Sequence, residues 1–144
     1  MKDRLPKSSS LFHFTGELRW LKSILLNGFA PRTCVEDTEW LNNNDKPFIA
    51  YPMCCFCDIP LSRAGVHTRF YGYYGVGMSK GWGQENGLHT VVYTQGNCYI
   101  TDTLKHLQRS VEEDPNALTV AVQLVKFTKP MFGKMPLKNA EKQM

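Results

Sequence analysis

The segment Tyr71-Gly72-Tyr73-Tyr74-Gly75-Val76-Gly77-Met78-Ser79-Lys80 constrains the fold more than any other part of this chain. Glycines at alternate positions within an apolar run mark a strand that a second backbone or a ligand approaches closely. The tyrosines beside them offer flat faces that can stack on a planar ligand. Equally, they can be amphipathic core residues whose crowding the glycines relieve. The glycine order is G-x-x-G-x-G after a helical pattern, whereas the dinucleotide fingerprint is G-x-G-x-x-G after a strand. A phosphate loop is excluded too, because the Gly-Lys-Ser order is absent.

Elements on either side follow from periodicity. Leu11-Phe12-His13-Phe14 reads as a first strand. Thr15 is placed to cap a helix carrying Leu18, Leu21, Ile24 and Leu25 and closed by Asn27-Gly28. Residues 29–45 look irregular. Phe48–Tyr51 and Met53–Phe56 read as two strands separated by Pro52, and Asp58 with Pro60 as the start of a helix reaching Tyr71. Ser79 is expected to cap a short helix stopped by Gly87, and Thr90–Thr94 to form a strand. Thr101 is expected to cap a helix over 102–111. Asp114-Pro115 opens a last element, read as a helix although Leu118, Val120, Val122 and Leu124 also fit a strand. Strands and helices alternate without a repeating βαβ cadence. The expected class is therefore α+β, a single domain with a small mixed or antiparallel sheet flanked by helices.

Bulk properties narrow the function classes. The chain has 144 residues, enough for one domain with its own core, and its hydrophobic share of 42% is that of a globular protein. No apolar run approaches the roughly 20 residues of a membrane span, and Leu11–Thr15 is too short for a signal-peptide core. A cytoplasmic protein with no membrane association is the expectation. Five cysteines, three of them at Cys54, Cys55 and Cys57, suit free buried thiols in a reducing compartment better than a disulfide framework or a zinc site. No metal is expected. The net charge of +4 is concentrated at the ends, in Lys2, Arg4 and Lys7 and again from Lys126 to Lys142. A solvated basic surface explains this as well as a nucleic-acid partner does, so nucleic acid is the weaker expectation.

His13 is the first candidate for chemistry. It lies in an apolar strand two residues before Thr15, where it can hold a ligand hydroxyl or serve as a satisfied core histidine. Tyr73 and Tyr74 are the candidates for stacking. Arg32 and Arg63 can bind phosphate or pair with carboxylates.

In order along the chain, several blocks resemble the AbiGi-like abortive-infection proteins of bacteria. They are Leu11–Thr15, Ile24–Arg32, Pro52–Leu61, Tyr71–Gly83, Asn86–Leu88 and Val91–Tyr93, with a fainter Lys129-Pro130 followed by Gly133. The resemblance implies a phage-defence component, an antitoxin restraining a companion toxin through protein contact. On it, residues 1–10 are a flexible leader, 11–130 the AbiGi-like domain, and 131–144 a basic C-terminal tail. The chain is also similar to the opening of ADP-ribosyltransferase folds, in its His-x-Thr strand, its Asn-Gly-Phe helix end and its tyrosine–glycine strand. That likeness implies an NAD site with His13 and Thr15 at the ribose and Tyr73 or Tyr74 at the nicotinamide. It also implies a late glutamate, for which Glu112, Glu113 and Glu141 lie in unsuitable polar stretches. Either the chain is a shortened member of its family, or it has lost catalysis, or it never had it.

Overall fold

The computed structural model describes residues 8–41, 48–110 and 114–132. Residue contacts divide the chain into two compact units, each assembled from two separate stretches: Met1–Arg32 with Met53–Leu88, and Thr33–Pro52 with His89–Met144.

In the first unit, strand β1 (Ser10–Thr15) pairs antiparallel with β4 (Tyr74–Ser79), placing His13 opposite Val76 and Thr15 opposite Tyr74. Directly opposed residues share a face. Leu11, His13 and Thr15 therefore lie with Met78, Val76 and Tyr74, and Phe12 and Phe14 lie with Gly77 and Gly75. The close approach expected at the β4 glycines is made by two rings. A Cβ on Gly75 would sit 2.7 Å from the Phe14 ring, and one on Gly77 would sit 2.9 Å from the Phe12 ring. Along the other edge of β1, Phe12 exchanges two backbone hydrogen bonds with Cys57, at 3.0 and 2.8 Å.

Helix α1 (Leu18–Asn27) packs on both strands, with Leu21 and Ile24 half-buried. Its N-terminal cap is Glu17 in extended conformation, with no side-chain bond, so Thr15 ends the strand and does not cap. Gly28 closes α1 at φ 82°, its N–H reaching the Ile24 carbonyl. A 3₁₀ turn at Leu61–Arg63 leads into α2 (Gly65–Tyr71), later than Asp58 suggested, because the Asp58 carboxylate accepts from Lys80 Nζ at 3.0 Å. The expected strand over 53–56 is absent beyond Met53, leaving the isolated bridge at Cys57. Helix α3 (Lys80–Glu85) has the Ser79 cap that its sequence announces, Ser79 Oγ accepting from Trp82 N at 3.1 Å.

The second unit holds what looked irregular. Strand β2 (Arg32–Asp37) pairs with β3 (Phe48–Met53), a single strand running through Pro52, and a 3₁₀ turn occupies Glu39–Leu41. Strand β5 (Val92–Thr94) pairs in parallel with β6 (Thr128–Pro130), an element that sequence periodicity missed. Helix α4 (Tyr99–Ser110) begins before Thr101, which is an interior helical residue with 0% exposure and not the cap. It packs against α5 (Pro115–Lys126), whose Asp114 cap accepts from Asn116 N at 2.8 Å. Helix is thus the outcome for the ambiguous last element. Among the described residues, Leu41, Tyr51, Leu104 and Ala121 are the buried apolar residues of this unit. The α+β class expected of the sequence is what the structure shows.

Candidate functional site

His13 is held firmly. Its Nδ1 lies 2.8 Å from the Cys55 carbonyl oxygen. A carbonyl can only accept, so Nδ1 is the donor in this contact. The ring meets Phe29 edge-on and Phe56 at a tilt, both at 5.5 Å, and Trp82 closes on Phe29 and Phe56 at 5.5 and 5.6 Å. The histidine thus ties the Cys55 segment to β1 within an aromatic cluster.

Of the other residues singled out by sequence, Thr15 and Tyr74 face each other across the β1–β4 pair on the face that carries His13. Tyr73 lies just before β4, outside the pairing, and is 75% exposed. The sheet brings together three of the four and leaves Tyr73 out. On the opposite face a series of rings runs outward: Phe12 on Phe14 at 6.0 Å, Phe14 on His67 at 6.3 Å, His67 on Tyr71 at 4.7 Å, and Tyr71 on Phe70 at 4.7 Å. Arg32 sits over the Trp20 ring at 4.3 Å, a cation–π contact where sequence offered phosphate or carboxylate.

The second unit contains a polar cluster that sequence reasoning did not single out. Cys98 Sγ lies 2.8 Å from Thr94 Oγ1 and 3.5 Å from Thr101 Oγ1, and Thr101 donates to the Gln95 carbonyl at 2.7 Å. Those hydroxyls, with the backbone N–H groups of Thr101 and Ile100 at the start of α4, bring the thiol down to about 6. Two signals could have revealed it, a cysteine immediately before a helical run and threonines on both sides. Beside it, Thr94, Gln95, Gly96, Trp40, Pro130 and Phe132 line a cavity of about 320 Å³. Tyr51 is buried at 6% exposure, its hydroxyl without a hydrogen-bond partner among the described residues, and burial with the nearby Glu36 pushes it up to about 12. Glu36 pairs with Lys129 at 2.6 Å.

All five cysteines are free. Four are half-buried and Cys55 is exposed, so the thiols are free as expected but none is fully buried. Burial pushes Cys54 and Cys57 upward. Among the described residues no three of His, Cys, Asp or Glu converge as a metal site would require. No described helix is long and apolar enough to cross a membrane.

Comparison with known proteins supplies what this geometry does not. The family described as "Putative abortive phage resistance protein AbiGi, antitoxin" matches residues 27–142, most of the chain. The chain belongs to the AbiGi family. The abortive phage resistance protein AbiGi of Lactococcus lactis subsp. cremoris is 28% identical over 116 residues. That alignment takes in 74% of this chain and 47% of the relative, so the chain spans about half the length of the lactococcal AbiGi. No solved structure matches. The AbiGi match includes Tyr73, Tyr74 and the Cys98 cluster, whereas His13 and Thr15 precede it. It also runs well past Tyr93, through the part where the motif resemblance fades.

Proposed function

We propose that this chain is the antitoxin-like component of a bacterial abortive-infection pair, acting in the cytoplasm by binding its cognate toxin. The observation that supports this reading is the family match over residues 27–142, whose description carries the word antitoxin. No cofactor is needed for such a role. The test is to express the chain with the product of the adjacent gene in a bacterial host. Restored growth and a complex that co-purifies are the expected results. A neighbouring product that is toxic and remains so, with no complex formed, would sink the reading.

A second reading is an NAD-dependent ADP-ribosyltransferase with its pocket at His13, Thr15, Tyr73 and Tyr74. One placement favours it: His13, Thr15 and Tyr74 share a face of the β1–β4 pair. Calorimetry of NAD against the chain and its His13→Ala variant tests it, with heat expected from the first and not the second. Absence of heat from the unaltered chain removes this reading and leaves the antitoxin reading untouched.

A further inference from the structure

We propose that the outer surface of α2 and the Gly72 turn is a stacking platform for single-stranded nucleic acid. Three observations converge there. The first is the series of rings described above, which leaves the β1–β4 sheet at Phe14, continues through His67, and emerges at Tyr71 and Phe70. Phe70 is 54% exposed and Tyr71 50%, so π surface reaches water while its inner end is anchored on the sheet. Tyr73, more exposed still, follows one turn later. A ring that is braced by another ring loses little freedom when a base stacks on it.

The second observation is charge. No acidic residue occurs between Asp58 and Glu85, while Arg63, Arg69 and Lys80 do. Lys80 pairs with Asp58, and Arg63 and Arg69 are both exposed on the segment that carries the rings. Basic side chains on the segment that bears exposed aromatics complement phosphate, while the nearby Glu17 pairs with Arg19. Rings supply the sequence-tolerant contact and arginines track the backbone.

The third is the local geometry of the turn. At φ 113°, Gly72 lets the chain pass against the Thr15 carbonyl, with which a Cβ would clash. This pins Tyr71 and Tyr73 to the end of the sheet, so the platform is rigid at its base. Single strands fit such a surface and duplexes do not, because a duplex keeps its base faces stacked inside. The proposal stands apart from both the antitoxin and the NAD readings.

The test is fluorescence anisotropy of the full chain with a labelled oligo-dT of about 16 nucleotides, a matching duplex, and thymidine monophosphate as competitor. Saturable binding of the strand is expected, weakening as salt rises from about 50 to about 200 mM, with the duplex and the mononucleotide binding far less. Phe70→Leu with Tyr71→Leu keeps apolar bulk and removes the π faces. It should weaken binding about fivefold or more at unchanged salt slope. Arg69→Gln should instead lower the slope by about one phosphate contact. Leu25→Ser on α1 should leave binding as it was. If the double variant does not fold, as read by circular dichroism, Phe70→Leu alone and Arg69→Gln decide the matter. No saturable binding, equal binding of the duplex, or leucine variants that bind like the original would each overturn the proposal. A face occupied by a protein partner gives the first of these results.

Discussion

The Cys98 thiol occupies the position where a serine or threonine would cap a helix. Its sulfur lies within reach of the Thr101 and Thr94 hydroxyls and of the first N–H groups of α4, an environment that favours the thiolate. Held down at about 6, the group stabilises the fold above its unfolded value near 8.5, and that contribution fades as pH falls through 6. Iodoacetamide mapped by mass spectrometry should therefore find Cys98 reacting with a midpoint near 6, well below Cys54 and Cys57. Thr94→Val should move that midpoint upward, and an unmoved midpoint would remove the hydroxyl from the account. Tyr51 moves the opposite way. Raised to about 12 from an unfolded value near 10, it leaves stability intact below pH 10 and draws it down as pH rises from 10 towards 12. Because the buried hydroxyl has no partner among the described residues, Tyr51→Phe should be neutral or stabilising by about 1 kcal/mol in urea melts, and should flatten the alkaline decline. A variant that melts earlier at neutral pH would show that the hydroxyl is bonded after all.

At the scale of elements, the β1–β4 pair depends on glycine for two separate reasons. Gly75 and Gly77 make room for rings, whereas Gly72 holds a positive φ against a backbone carbonyl. Gly75→Ala should cost about 1–3 kcal/mol by overpacking against Phe14. Gly72→Ala should cost more, because strain at φ 113° adds to a clash with Thr15 that no side-chain rotation relieves. Chemical denaturation of the two variants gives the order, and equal losses would mean that Gly72 can relax. The glycine spacing was readable in the sequence as a close approach, but whether a ligand or a ring made it was not. Leu18–Asn27 was legible from its apolar spacing and its Gly28 stop although the expected Thr15 cap is not used, and the run after Asp114-Pro115 from its cap and proline although its apolar spacing also fitted a strand. Strands β2 and β6 were not, since Arg32–Asp37 and Thr128–Pro130 are too short or too polar to show a period of two. The Cys98 cluster escaped for a related reason. Its chemistry arises from where α4 begins, and the sequence pointed to Thr101 as the cap.

At the scale of the molecule, neither compact unit is continuous in sequence. The second needs residues 33–52 as well as everything from His89 onward, and the Glu36–Lys129 pair links its two stretches. A fragment beginning at His89 keeps α4, α5, β5 and β6 but lacks Tyr51, Leu41 and the carboxylate partner of Lys129. Such a fragment should lack the cooperative thermal transition expected of the whole chain, as read by circular dichroism. Adding a synthetic peptide of residues 33–52 should restore part of it, and a fragment that melts as sharply alone would argue that the stretch is dispensable. The same interleaving sets a timetable for birth on the ribosome. β2 and β3 emerge early, yet the helices and strands they belong with follow only after the whole second stretch of the other unit has been made. At about 5–20 residues per second, that leaves Tyr51 and its neighbours waiting for seconds with apolar surface in water. Nascent chains paused between Pro52 and His89 are the species in which a chaperone would find the most to hold.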